Sequence, residues 1–199
     1  KRYVEDVTVG EQFTPRFRGP MVTGDVIAWL QGNGRHEIYP YRLNWKNRQR
    51  MGGFYSRNEF GAWDSAMRVH WDDGYARSVG ARRAYDYGML RNAWIMHMVT
   101  DWMGDDAIIV GVDDRVTGFN TLGDLTKITG HVESIEDDGY PEVICRLECH
   151  NHFDERTAHG SIRVRLPSRS GGLPEYPQPP EDHGLLPGMP LPEEGPWRR

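Results

Sequence analysis

The chain has 199 residues, a formal net charge of −5 and 38% hydrophobic residues, the size of one domain with an appendage. That acidity excludes a general nucleic-acid binder, and no apolar run reaches the roughly 20 residues of a bilayer-spanning helix. Seven Trp and nine Tyr still supply bulk for a core. Cys145 and Cys149 stand four apart in what reads as a strand, about 13 Å between Cα atoms, beyond the reach of a mutual disulfide. Two ordinary thiols and no legible leader peptide fit a reducing, cytoplasmic setting.

From the start of the chain, Val4, Val7, Val9 and Phe13 predict a strand over Tyr3 to Phe17, broken by a turn at Gly10-Glu11. A short helix follows Pro20, capped by Thr23, with Val26, Ile27 and Leu30 on its apolar side and Gly32-Asn33-Gly34 at its end. Residues 35–57 change character. Arg35, Arg42, Lys46, Arg48, Arg50 and Arg57 face only Glu37, with aromatic residues interleaved and Gly52-Gly53 as a joint. This basic insertion reads either as an anion-binding loop whose arginines meet phosphates bidentately, or as a solvated loop over a neighbouring subunit.

The stretch from Tyr85 to Gly104 predicts the central helix. Ile95, Met98, Val99 and Trp102 fall at helical spacing, and Met89, Ala93 and Met96 widen the stripe, so the helix reads as buried almost all round. Asp86 is the expected N-cap, Gly104 the expected stop, and His97 a satisfied core histidine. Short strands then follow over Ala107 to Val112, Arg115 to Phe119, Leu125 to Ile135, Glu142 to His150 and Ser161 to Leu166. Turns are expected at Asp113-Asp114, at Glu136 to Gly139, and at Phe153 to Arg156. Of the 33 residues from Pro167 to Arg199, nine are Pro and five are Gly, which makes a tail unable to build a core, with Leu185, Leu186 and Trp197 as anchors if it straps a partner. Several antiparallel strands around one buried helix give an α+β architecture.

Five motifs occur in an order that resembles the MaoC-like acyl dehydratases, the (R)-specific enoyl-CoA hydratase group. His70-Trp71-Asp72-Asp73-Gly74-Tyr75-Ala76 resembles their H-x-D-x-x-Y-A segment, and Tyr87-Gly88-Met89-Leu90 the H-G-M-L start of their helix. Phe119 to Asp124 is similar to their F-x-x-P-V-x-x-G-D run, His159-Gly160-Ser161 to Pro167 to their closing strand, and Val7 to Phe13 to their opening. The resemblance implies a hotdog fold over residues 1–166, a curved antiparallel sheet wrapped around a long central helix, with residues 167–199 as the tail. It also implies a hydro-lyase acting on a 2-enoyl or 3-hydroxyacyl thioester, an acyl-CoA, with no cofactor beyond the coenzyme A of the substrate. A homodimer, or a heteromer with a second hotdog subunit, is implied too.

In that family a carboxylate and an imidazole hold the adding water, while the helix amino end polarises the thioester carbonyl. The chemistry is sound by itself, since the two groups can share acid–base work near neutral pH and a helix N-terminus stabilises developing enolate charge. His70 occupies the histidine position; five residues before it stands Ser65, so either the carboxylate is Asp64, six before, or Glu59, or the acid–base pair is incomplete. Gly88 is the expected carbonyl-polarising donor, and Tyr87 a cleft wall in preference to a hydroxyl donor. Arg48 and Arg50, with Arg82 and Arg83 as competitors, are candidates for coenzyme A phosphates. His150 and His152 share a strand face, but no third-ligand spacing supports a metal. An alternative class is a catalytically degenerate hotdog subunit that binds acyl-CoA and scaffolds an active paralogue. A thioesterase, with Asp101 as its helix carboxylate, ranks below both.

Overall fold

The computed structural model describes residues 1–33, 42–137 and 139–176. The first seven residues of the basic insertion, Asp138 and the tail from residue 177 lie outside them, and so do the expectations for Leu185, Leu186 and Trp197. Among the described residues, four α-helices follow one another along the chain: α1 (Thr23–Gly32), α2 (Arg42–Arg50), α3 (Asp73–Ser78) and α4 (Gly88–Met103). Strands β1 (Arg16–Arg18), β5 (Thr126–Asp137), β6 (Pro141–Asn151), β7 (Arg156–Arg165) and β4 (Ile108–Val116) form one antiparallel sheet in that spatial order. Strands β2 (Tyr55–Arg57) and β3 (Trp63–Ser65) make a separate hairpin.

The sheet packs one face on α4, because β5, β6 and β7 alternate buried and more exposed residues over most of their lengths. Ile128, Val132, Val143, Cys145, Leu147, Cys149, Ile162 and Val164 are wholly buried against Ile95, Met98 and Val99 of the helix. Irregularities at Ile109/Gly111, Val132/Ser134 and Cys149/His150 shift the register, the kind of defect that bends a sheet. Gly160 is required where β7 meets β4, since a Cβ there would stand 2.5 Å from the Asp113 carbonyl oxygen. The opposite side of α4 is covered in part by α1, whose Val26 and Leu30 join Met21, Tyr87 and Leu90 in a second cluster.

Several elements differ from the sequence expectation for identifiable reasons. The opening strand is replaced by a 3-10 helix at Val4–Asp6, a bridge between Gln12 and His131, and the three-residue β1. Gly10 turns at φ 88°, so the opening segment meets β5 without forming a continuous strand. Asp113-Asp114 is not a turn, because β4 runs straight through it, pairing with Ser161 and Gly160. An edge strand tolerates such charge. The basic insertion carries a helix, α2, in place of a loop.

The central helix is less enclosed than its composition suggests. Met89 is 52% exposed and Met96 36%. His97 lies on the same open side, bonded to Arg18 at 2.7 Å and 3.5 Å from Asp101, so it is not a core histidine. Its N-cap is Tyr87, and Gly104 ends it at φ 76°. The first residues past Pro167 fold back on the chain's beginning: Ser168 Oγ donates to Glu5 and Arg169 pairs with Asp6 at 2.7 Å. Both cysteines are buried, free thiols. No described helix is long and apolar enough to cross a membrane.

Candidate active site

His70 ends a 3-10 helix, Ala66–His70, that packs closely with α3. Asp72 caps α3 by accepting from the Tyr75 N–H at 2.9 Å, which fixes the turn directly after the histidine. The imidazole is 8% exposed. Its Nδ1 lies 2.8 Å from the Tyr85 carbonyl oxygen, and because a carbonyl only accepts, Nδ1 carries the hydrogen and Nε2 is the basic nitrogen. The ring stacks on Tyr87 at 4.1 Å between centroids and meets Tyr85 edge-on at 4.9 Å.

A cavity of about 300 Å³ opens beside this ring, lined by His70, Tyr85, Asp86, Gly88 and Arg91 on one side. The segment Val116 to Phe119, leaving the end of β4, lines the other. Gly88 is the first residue of α4, and the first N–H groups of a helix have no intrahelical partner. An imidazole and the positive end of a 16-residue helix therefore face one small cavity. The glycine also matters sterically, for a Cβ at Gly88 would come within 3.0 Å of Val116 Cγ2.

Asp64 is placed elsewhere. It sits on β3, where Oδ2 accepts from the Asn58 side chain at 3.3 Å and Oδ1 from the Ser65 N–H at 2.8 Å. With Glu59 it lines a larger cavity of about 620 Å³ between the β2–β3 hairpin and α3. Arg68, 5% exposed, lines that cavity too; its guanidinium lies over Tyr75 at 3.9 Å and donates to Ser56.

Of the basic candidates, Arg48 stacks on Trp45 at 4.4 Å and shares a cavity with Asp64, and Arg50 ends α2 in an exposed position. Arg82 bonds Thr121 at 3.0 Å and Asp124 at 3.4 Å, and Arg83 lies 3.3 Å from Asp73. None of the four lines the His70 cavity. Tyr87 is 8% exposed, its hydroxyl 3.3 Å from Met67 Sδ. Among the described residues no three of His, Cys, Asp and Glu gather as metal ligands.

The acidic residue at the His70 cavity is Asp86, expected from sequence to be a helix cap; its side chain is wholly buried behind the cavity wall. Its Oδ1 accepts from Arg91 Nη2 at 3.0 Å, and its Oδ2 lies 2.7 Å from Arg91 Nε as an ion pair outside hydrogen-bond geometry. Arg91 is 2% exposed and passes its other nitrogen, Nη1, to the carbonyls of Gly118 and Thr157 at 2.7 and 2.6 Å. Burial pushes the Asp86 carboxyl up to about 7, against the opposing pull of the arginine. Sequence reasoning passed over both residues. The one signal available was a charged pair five apart at the mouth of an apolar helix.

No protein-family model and no curated protein matches the sequence. Solved structures do match the fold. An (R)-hydratase from A. caviae involved in PHA biosynthesis superposes with a TM-score of 0.61 at 14% identity, over 82% of this chain and 100% of that one. The MaoC-like dehydratase from Rhodospirillum rubrum gives 0.60 at 15% identity, over 85% and 99%. The ChsH1-ChsH2 complex from Mycobacterium tuberculosis gives 0.57 at 13%, over 80% and 98%. The chain has the hotdog fold of MaoC-like dehydratases and (R)-hydratases.

Proposed function

We propose that the protein is a hydro-lyase that reversibly adds water to a 2-enoyl thioester, the acyl group being carried on coenzyme A. The observation that carries this reading is the shared cavity of His70 and Gly88. With Nδ1 held by the Tyr85 carbonyl, Nε2 takes a proton from water as the oxygen bonds to the β-carbon of the enoyl group. The double-bond electrons move to the α-carbon and the thioester oxygen, where the N-terminus of α4 stabilises the enolate. The imidazolium then returns its proton to the α-carbon, giving the 3-hydroxyacyl thioester. Asp64 and Glu59 stand beside the neighbouring cavity, and the reaction so drawn uses neither. Arg48 and Arg50, on the basic helix α2, are the anchors we assign to the coenzyme A phosphates.

We place a second copy, or a sister subunit, along β4. Among the described residues that strand pairs with β7 alone, and Val112 and Val116 on it are 46% and 44% exposed. An edge strand of nine residues offers its unpaired backbone N–H and C=O groups to a second strand, beside the exposed Val112 and Val116.

One observation favours a second reading, a non-catalytic subunit that binds acyl-CoA for an active paralogue. The carboxylate nearest the cavity, that of Asp86, has no exposed surface and is paired with Arg91, and so is poorly placed to hold water. The purified chain, given crotonyl-CoA and longer 2-enoyl-CoA esters, separates the two. Loss of enone absorbance with the chain alone supports the hydro-lyase; turnover that needs an added hotdog subunit supports the scaffold.

A further inference from the structure

Asp86 occupies a singular place in the chain. The residue before it, Tyr85, offers the carbonyl that receives His70 Nδ1, and the residue after it, Tyr87, stacks on the same imidazole and caps α4. An aspartate just ahead of a helix ordinarily turns its carboxylate onto the N–H groups of the first turn. Here the side chain turns to Arg91 instead, and its own N–H donates to the Asn120 carbonyl at 2.9 Å. Arg91 in turn reaches Gly118, in the segment lining the opposite wall, and Thr157 on β7. Asp86 and Arg91 thus cross-tie the start of α4, the Gly118–Asn120 segment and the sheet around one cavity.

We propose that Asp86 and Arg91 are positioning residues for the His70 site, holding the peptide from Tyr85 to Gly88 so that it orients the imidazole at one end and presents the helix N-terminus at the other. Neither acts on a ligand directly, since the Asp86 side chain has no exposed surface and that of Arg91 only 2%. Desolvating both charges is costly, and well-packed apolar residues of similar volume generally replace such a pair at little loss of stability, or with a gain. What apolar side chains cannot reproduce is the set of directed bonds: one to a carboxylate oxygen and two to carbonyls on separate segments. A buried ion pair at this place is accounted for by geometry, not by stability.

The inference rests on the hydro-lyase reading for its kinetic arm alone. The variant is Asp86→Leu/Arg91→Met, which removes both charges together and avoids stranding one. Its fold is followed by thermal unfolding, the His70 tautomer by 15N-resolved NMR of the imidazole, and turnover with 2-enoyl-CoA. The expected result is a folded protein in which the Nδ1–H tautomer of the wild type gives way to a mixture with Nε2–H. With it, kcat falls about 10- to 100-fold while KM stays within about threefold, the signature of lost orientation rather than lost binding. A folded double variant that keeps the wild-type tautomer and turnover overturns the proposal. If the wild type turns over no enoyl thioester, the hydro-lyase reading fails by itself and the tautomer alone decides. Should the double variant not fold, Arg91→Lys carries the test, because a single ammonium keeps the charge but cannot span the same three acceptors; wild-type tautomer and kcat there overturn the proposal equally.

Discussion

His70 Nδ1 stands 2.8 Å from the Tyr85 carbonyl oxygen, fifteen residues along the chain. One hydrogen bond thus settles which imidazole nitrogen is basic, and it ties the histidine to the peptide that leads into the central helix. His70→Ala removes the proton carrier and is expected to lower kcat on a 2-enoyl-CoA by about 10² or more. His70→Gln, which can still donate toward the Tyr85 carbonyl, is expected to be as inactive while keeping wild-type thermal stability. Unchanged turnover in either variant removes His70 from the chemistry.

Gly88 carries a second expectation. Added at this position, a Cβ meets Val116 Cγ2 at 3.0 Å, so one of the two must shift. Gly88→Ala is expected to lower kcat/KM about tenfold by displacing the helix tip relative to the imidazole. Because Val116 is 44% exposed on an edge strand, trimming it costs little. Gly88→Ala/Val116→Ala should therefore recover part of the loss, and no recovery would show that the crowding is not what matters.

The Asp86 carboxyl, raised by burial to about 7, makes stability depend on pH in a defined direction. Unfolded, the group titrates near its ordinary value of about 3.9. Between the two values the folded chain binds more protons than the unfolded one. Its contribution is fully present below about pH 4 and is lost as pH rises through about 7. Asp73, held low by the Ala84 N–H and by Arg83, acts in the opposite sense, with stability lost as pH falls. The difference between wild type and Asp86→Leu/Arg91→Met isolates the buried group. Measured by urea unfolding from pH 4 to 8, wild-type stability relative to the variant should decline as pH rises, by at most a few kcal/mol at roughly 1.4 kcal/mol per pK unit. A flat difference would contradict the shift.

Burial pushes both thiols, Cys145 and Cys149, up to about 12. Thiolate is the reactive species, so neither should react with a thiol-specific disulfide reagent at pH 8 in the native protein. Both should react within minutes in denaturant. Rapid native labelling would show that β6 opens far more readily than two wholly buried thiols allow.

The exposed edge of β4 gives a prediction about assembly. Val112→Lys puts a charge on that edge and is expected to shift the protein from dimer to monomer in light scattering after gel filtration. A wild type that is monomeric at tens of micromolar would refute pairing along β4.

The central helix and the strand alternation of β5 and β6 were legible because periodicity records which face is buried. The join of His70 to the helix tip was legible through resemblance, in the His70 and Tyr87-Gly88 segments. Asp86 was not, because an aspartate before an apolar helix is a common cap; its bond to Arg91 depends on Gly118 and Thr157, 27 and 66 residues beyond Arg91. Asp113-Asp114 misled for a related reason, since composition does not reveal that a strand lies at an edge where carboxylates reach water. Met89, Met96 and His97 show the converse, an apolar composition left open on one side within a single chain.

The contacts of Ser168 and Arg169 with Glu5 and Asp6, together with the Val4 N–H bonded to the Pro167 carbonyl at 3.0 Å, fasten the two extremities of the domain to each other. Joining them through a short linker and reopening the chain at the Asn151–Arg156 hairpin should give a circular permutant that still folds. A protease nick within Ser168–Gly172 would loosen the opening turn along with the closing one, so that neither frays alone.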